Sequence, residues 1–149
     1  MTEDILDVEE KVDVKKERLK LLPKWIKFFS WIFLVLGATT PIILFLPLVY
    51  NGPLELSVLG FSADNPYHPQ GIAVVLFFLL SGITAFGLLW AKKWAPLLGF
   101  LISIIGLICV IINAIYSQDN NLPLEPLLQI PFMIKMISIK GSWEWLGEE

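Results

Sequence analysis

Three long apolar runs constrain the fold of this chain more than any other feature. They are Phe28 to Tyr50, Gly71 to Trp90 and Ala95 to Tyr116, with 23, 20 and 22 residues, and none of them contains Asp, Glu, Lys or Arg. A helix of that length rises about 30 to 35 Å, which matches a hydrocarbon layer of about 30 Å. The runs therefore predict three transmembrane helices.

Composition points to the same class of protein. The 149 residues are 56% hydrophobic and only 17% charged, and the mean hydropathy is +0.70. A soluble domain of this size cannot bury that much apolar surface. The excess must face lipid, so the bilayer is the first partner that the sequence predicts.

The distribution of positive charge predicts the orientation. Seven Lys and Arg residues precede the first run, whereas Asn51 to Gln70 contains none. By the positive-inside rule the N-terminus is cytoplasmic and residues 51–70 form an outer loop. The first two dozen residues are highly charged, so we expect no cleavable signal peptide. The layout resembles that of small multi-pass proteins of bacterial inner membranes.

The second and third runs are separated by a compact polar break. Lys92 and Lys93 lie between two tryptophans there, which is typical of a turn in the headgroup region on the cytoplasmic side. We predict that these four residues anchor the chain in the membrane interface, together with two tryptophans near the start of the first run. The predicted interfacial anchors are thus Trp25, Trp31, Trp90, Lys92, Lys93 and Trp94.

A fourth apolar segment, Pro123 to Ile139, has two interpretations. Glu125, Gln129, Pro131 and Lys135 interrupt it, and its 17 residues are at the lower limit for crossing. It is either a short, Pro-kinked fourth span or a helix lying in the interface. Charge placement favours crossing, with Glu125 near the outer surface and Lys135 snorkelling inward.

The predicted fold is thus an all-α integral membrane protein with a small bundle of four transmembrane helices. Residues 1–27 form a cytoplasmic tail and residues 28–149 a single membrane domain. Asp4 to Leu22 has apolar residues at 3–4 spacing, which predicts an amphipathic helix that ends before Pro23. Its early half is acidic and its later half basic. It is a candidate contact for a cytosolic or membrane protein; the alternative is a disordered charged tail.

Small and polar residues suggest how the spans pack. Helices in lipid associate through close packing of small residues and a few hydrogen bonds. We predict that two such patches meet, one on the second span and one on the third: Ser81, Thr84 and Ala85, and Gly99, Ser103, Gly106 and Asn113. Gly37 and Pro41 in the first span predict a kink, with Thr39 or Thr40 bonding a freed carbonyl.

The outer loop offers little chemistry. Leu54, Leu56 and Val58 alternate with polar residues, which favours a short strand or an extended segment. Asp64 and His68 are too few ligands for a zinc site, which needs three or four.

The rest of the chain limits the function classes. One His and one Cys exclude intramolecular disulfide scaffolds and multi-thiolate metal centres, and no phosphate loop or nucleophile elbow is present. We therefore predict no catalysis, no cofactor, no metal and no nucleic-acid partner. The predicted function is that of an accessory or scaffold subunit that acts by helix packing; the alternative is an oligomeric transporter or channel for small solutes.

Overall fold

The computed structural model describes residues 13–49, 56–58, 61–63, 65–116 and 125–146. Five helices occur in these ranges: α1 (residues 13–21), α2 (Lys24–Val49), α3 (Pro69–Leu89), α4 (Ala95–Tyr116) and α5 (Glu125–Trp145). Three of them contain stretches long and apolar enough to cross a membrane, namely Lys24–Val49, Pro69–Leu89 and Ala95–Ile112. The three predicted membrane helices are thereby confirmed, and α5 does not belong to this set.

Helix α2 runs without interruption through Pro41 and Pro47. Pro41 has no N–H and so frees the carbonyl of Gly37, four residues earlier. The hydroxyls of Thr39 and Thr40 instead donate to the carbonyl of Leu36, at 2.8 and 3.3 Å. The prediction that these threonines bond the freed carbonyl is wrong, because a side chain at i reaches back to i−3 or i−4 and finds Leu36.

Gly37 has a packing role in the structure. A Cβ built on Gly82 of α3 would lie 2.7 Å from the Cα of Gly37, so the backbones of α2 and α3 touch at this pair. Only two glycines permit so close an approach between helices. The small residues of α3 therefore serve two neighbours, because Gly82 faces α2 while Thr84 faces Gly99 of α4.

Two short strands follow α2. β1 (Leu56–Val58) pairs antiparallel with β2 (Phe61–Ala63), with Leu56 opposite Ala63 and Val58 opposite Phe61. The predicted short strand is confirmed for residues 56–58; Leu54 lies outside the described residues. A turn then leads into α3, where the Tyr67 hydroxyl donates to the carbonyl of Leu44 at 2.6 Å.

The long helices pack in chain order, α2 on α3, α3 on α4 and α4 on α5. Helix α5 is antiparallel to α4, since Gln129 lies against Gly106 and Met136 against Gly99. The 90–94 turn and the C-terminal part of α5 consequently lie at the same end of the bundle, which we call the turn end.

The main hydrophobic core is at the turn end. Its buried members come from α2, α3, α4 and α5 and from the segments that link α1 to α2 and α3 to α4: Leu22, Ile26, Leu88, Ala91, Ala95, Met136, Ile139 and Trp143. Leu19 and Leu21 of α1 are partly buried against this core. Residues of the predicted cytoplasmic tail thus share one core with the membrane helices. The remainder of the predicted amphipathic helix, before residue 13, lies outside the described residues.

Candidate functional site

The turn between α3 and α4 is the first part of a junction of helix ends. Lys92 N–H donates to the carbonyl of Gly87 at 2.8 Å, and Ala91 N–H donates to that of Leu88 at 3.2 Å. This pair of bonds is the Schellman motif, which closes a helix through a residue in the left-handed region. Ala91 takes that position with φ of 55°. An alanine in the left-handed region is strained, but here its buried methyl packs in the core.

Arg18 of α1 joins this turn to the end of α5. Its Nε donates to the carbonyl of Trp143 at 2.8 Å, and Nη1 donates to the carbonyl of Ala91 at 3.0 Å. The carbonyl of Trp143 is in the last turn of α5, where carbonyls lack intrahelical partners, and that of Ala91 is in the turn directly after α3; the helix dipole favours a cation at both places. One guanidinium therefore caps α3 and α5 together.

Trp143 completes the arrangement. Its indole Nε1 donates to the carbonyl of Lys92 at 2.9 Å, and the Arg18 guanidinium carbon lies 6.0 Å from the centre of its ring. The side chain is fully buried. We call Arg18, Ala91, Lys92 and Trp143 the helix-end junction, because it fixes α1, the 90–94 turn and the end of α5 to one another.

Burial lowers the pKa of Arg18 but does not remove its charge. The residue is 8% exposed, and loss of solvent lowers the pKa of its guanidinium. The ordinary pKa of arginine is so high that the group stays protonated under physiological conditions. The junction therefore holds a permanent cation whose partners are neutral carbonyl dipoles.

A second feature is a cavity between the long helices. Its volume is about 130 Å³, and α2, α3, α4 and α5 all contribute to its wall. Aromatic side chains form much of the lining: Trp25, Phe29, Phe33, Phe77 and Phe132. We call it the central cavity.

Polar side chains also line the central cavity: Ser30, Ser81, Thr84, Ser103 and Gln129. The Thr84 hydroxyl donates to the carbonyl of Leu80 at 2.9 Å, and that of Ser103 donates to Gly99 at 2.8 Å. Gln129 Oε1 is buried and has no hydrogen-bond partner among the described residues. A buried acceptor without a partner costs free energy, so the unpaired Gln129 Oε1 is an unfavourable feature of this part of the bundle.

The predicted packing residues divide between these features. Ser81, Thr84, Ala85, Gly99 and Ser103 line the central cavity. Gly106 lies against the Gln129 amide, where a Cβ would overlap Nε2, and near Phe77. The structure does not describe the side chain of Asn113.

The predicted interfacial anchors lie at or near the turn end. Trp25, Trp31, Trp90 and Trp94 are partly exposed. The ring of Trp94 covers Gly87, where a Cβ would lie 2.6 Å from it, and Trp90 stacks on Phe86 with ring centres 4.5 Å apart. Lys92 and Lys93 are in the exposed part of the turn.

Three important residues were not identified as such from the sequence. Arg18 counted only among the seven positive charges before the first run, Trp143 was given no packing role, and Gln129 counted only as an interruption of an apolar segment. A signal existed for Gln129, because an amide within an apolar helix suggests a polar contact between helices. No local signal identifies Arg18, since its acceptors are backbone carbonyls 73 and 125 positions away.

Comparison of the chain with protein-family models, with curated proteins and with solved structures gives no match. In the part of the chain that the structure describes, no three His, Cys, Asp or Glu side chains are grouped as metal ligands.

Proposed function

We propose that this chain is an accessory or scaffold subunit of a larger assembly in the bacterial inner membrane, and that it acts by helix packing and not by catalysis. The main observation that supports this proposal concerns α2. In the apolar window of this helix 6% of the residues are buried, against 44% in α3 and 39% in α4. Helix α2 is therefore attached to the bundle along one side and is open along the others.

The open side of α2 has the form of a contact surface. Phe28, Trp31, Val35, Ile42 and Phe45 are all exposed, and their spacing of 3, 4 and 7 residues places them on one face of the helix. We call this the outer face of α2. It extends over 18 residues, which is about 27 Å at 1.5 Å per residue. A partner with one transmembrane helix can pack along its whole length.

The proposed orientation has the N-terminus and the turn end in the cytoplasm. The junction holds Arg18 at the turn end, and Lys92 and Lys93 belong to the turn itself. The outer loop, residues 51–70, contains no Lys or Arg. The positive-inside rule then places the turn end on the cytoplasmic side.

We propose in addition that α5 is a fourth, short span. Gln129 of α5 contacts Gly106 of α4, and Met136, two turns later, contacts Gly99. Helix α5 therefore runs along the length of α4. Its 21 residues reach about 30 Å. Trp143 ends this path at the 90–94 turn. These features support a crossing helix over a helix that lies flat on the surface.

The N-terminal segment is a second proposed contact, directed to a cytosolic or membrane protein. The described part of α1 uses its apolar side internally, because Leu19 and Leu21 pack against the core at the turn end. Its polar side stays exposed and carries Lys16, which pairs with Asp13 at 3.5 Å, and Lys20, which pairs with Glu17. That polar side is available for a charged partner.

Site-specific photocrosslinking in native membranes tests the proposal. Val35 on the outer face of α2 is replaced by benzoylphenylalanine, and the control carries the same replacement at Ile108, an exposed position of α4. If lipid is the only neighbour of both positions, both should give the same crosslinked products. We expect position 35, and not position 108, to form an adduct with a transmembrane helix of a different protein.

Two other outcomes contradict the proposal. Adducts only with lipid at both positions would mean that the outer face of α2 has no protein partner. An adduct between two copies of this chain, combined with a symmetric homo-oligomer in detergent, would instead favour the oligomeric transporter or channel.

A further inference from the structure

The central cavity is elongated, and the surface that it offers to an occupant is almost entirely apolar. On α3 its lining extends from Phe77 to Leu88, which is about 16 Å of helix at 1.5 Å per residue. The hydroxyls of Thr84 and Ser103 are already bonded to carbonyls of their own helices. An extended hydrocarbon chain therefore matches both the shape and the chemistry of the cavity.

The cavity is open on the side between α2 and α5. Helix α2 packs on α3, and α5 packs on α4, while α2 and α5 both contribute to the cavity wall. Trp25 of α2 and Leu128 of α5 belong to that wall and are nevertheless exposed. A groove between α2 and α5 thus leads into the cavity, and in a membrane the medium outside this groove is lipid.

A lysine lies beside the groove. Leu128, Phe132 and Lys135 are spaced by four and three residues, so they share one face of α5. The first two line the central cavity. Gln129 and Met136, on the adjacent side of the helix, contact glycines of α4. Lys135 consequently lies on the side of α5 that borders the groove, one turn nearer to the turn end than Phe132.

Lys135 has no anionic partner among the described residues. It is half-buried, and its neighbours in the sequence, Ile134 and Met136, are apolar. Glu144 of the same helix pairs instead with Lys140, at 3.9 Å. A lysine within an apolar membrane helix is costly unless a counter-charge accompanies it, and such a residue therefore indicates a site for one. The groove is the side from which an anion can reach Lys135.

We propose that the groove between α2 and α5 binds one anionic phospholipid, with its phosphate at Lys135 and one of its acyl chains in the central cavity. The ammonium group of lysine binds phosphate through charge-assisted hydrogen bonds. A phospholipid with a net negative charge brings no cation of its own to compete for that phosphate. The acyl chain lies among the aromatic side chains of the wall, including Phe29, Phe33 and Phe132.

The lipid site and the outer face of α2 are on different sides of that helix. Trp25, Phe29 and Phe33 follow one another at intervals of four residues and line the cavity. Val35 and Ile42 of the outer face are exposed, and each lies about half a turn round the helix from Phe33. A bound lipid therefore leaves the outer face free for a protein partner, and the two proposals can be tested separately.

Native mass spectrometry of the purified, delipidated full-length protein in detergent tests the site. The probes are dioleoyl-phosphatidylglycerol and dioleoyl-phosphatidylcholine, which have the same chains but differ in net charge. We expect one molecule of phosphatidylglycerol to bind, about tenfold more tightly than phosphatidylcholine, as one additional charge-assisted contact supplies. Glycerophosphoglycerol, the same head group without chains, should not displace it. Displacement by the head group alone would mean that the ligand is a soluble anion and would contradict the proposal.

The contribution of Lys135 is tested by substitution. Lys135→Gln should lower the affinity for phosphatidylglycerol about tenfold and abolish its preference over phosphatidylcholine, whereas Lys135→Arg keeps the charge and should keep the preference. The control is Lys24→Gln, which removes an exposed lysine beside Trp25 at the start of α2 and should leave both affinities unchanged. An equal loss in Lys135→Gln and Lys24→Gln, or the absence of saturable binding in the wild type, would overturn the site.

The position of the acyl chain is tested by photocrosslinking in the same complex. Phe29, which lines the cavity, is replaced by benzoylphenylalanine, and the control carries this replacement at Phe28, an exposed residue of the outer face. After excess lipid has been removed in detergent, we expect a phosphatidylglycerol adduct at position 29 and not at position 28. No adduct at position 29, or equal adducts at both positions, would show that the chain does not occupy the cavity.

Discussion

The Nε of Arg18 lies 2.8 Å from the carbonyl oxygen of Trp143, although the two residues are 125 positions apart in the chain. This bond ties the segment before the first membrane helix to the last turn of α5. The same guanidinium also bonds Ala91, so a single side chain connects the beginning, the middle and the end of the sequence. The stability of the turn end should depend strongly on it.

We expect Arg18→Gln to lower the free energy of unfolding by roughly 2 to 4 kcal/mol. The variant loses two hydrogen bonds from a charged donor and leaves two helix-terminal carbonyls underbonded. Lys16→Gln is the matched control, because the Lys16–Asp13 pair is exposed and should contribute less than about 0.5 kcal/mol. Unfolding in mixed micelles with increasing denaturing detergent measures both, and equal effects would show that the junction contributes nothing specific.

The contribution of Arg18 to the free energy of unfolding should not vary between pH 5 and pH 9. Burial lowers the pKa of the guanidinium, so in the range between its folded and unfolded pKa values the unfolded state binds more protons and stability rises with pH. That range is strongly alkaline, since the ordinary pKa of arginine lies far above neutral pH. The difference in unfolding free energy between wild type and Arg18→Gln should therefore be flat across neutral pH; a slope there would mean that another titrating group controls the junction.

We expect Gly82→Ala to destabilise the protein by about 1 to 3 kcal/mol. Its new methyl would lie 2.7 Å from the Gly37 Cα, and backbone cannot move aside as the end of a side chain can. Gly141→Ala is the control, since a Cβ there meets no atom within 4 Å and alanine favours the helix by about 0.5 to 1 kcal/mol. Thermal unfolding should thus move in opposite directions for the two variants, and an unchanged midpoint for Gly82→Ala would contradict the close crossing of α2 and α3.

Periodicity and apolar length were sufficient to predict the membrane helices. The third run was placed at Ala95 to Tyr116, the bounds that α4 has in the structure, because a lysine-rich turn and a polar segment delimit it. The small residues on α3 and α4 were also recognisable, since lipid-embedded helices use them to approach closely. Length and charge are properties of a local window, and the sequence displays them directly.

The junction and the cavity depend on contacts that no local window contains. Arg18 has the same sequence environment as the exposed lysines around it, and only the position of two distant carbonyls distinguishes it. Ser81, Thr84 and Ala85 were predicted to face α4, yet Gly82 between them faces Gly37 of α2, because the rotation of a uniformly apolar helix is set by its neighbours and not by its own pattern. The unpaired oxygen of Gln129 likewise follows from the relative position of α4 and α5.

Thiol labelling in intact cells tests the proposed orientation. In a Cys109→Ser background, Lys93→Cys places a thiol in the turn between α3 and α4, and Ser62→Cys places one in β2. We expect an impermeant maleimide to label position 62 and not position 93, because the turn end is proposed to be cytoplasmic. Labelling after membrane disruption controls for accessibility at both positions, and the opposite pattern in intact cells would reverse the orientation.

The position of the C-terminus tests whether α5 crosses the membrane. Arg18 and Lys92 hold Trp143 at the turn end through its carbonyl and its indole, so both ends of the chain should lie on one side. We expect a reporter fused after Glu149 to show that this end of the chain is cytoplasmic, on the same side as the 90–94 turn. The control is the same reporter fused after Tyr116, at the end of α4, which should report the outer side. If the fusion after Glu149 also reports the outer side, α5 does not cross, and the contacts between Arg18 and Trp143 cannot exist in the membrane.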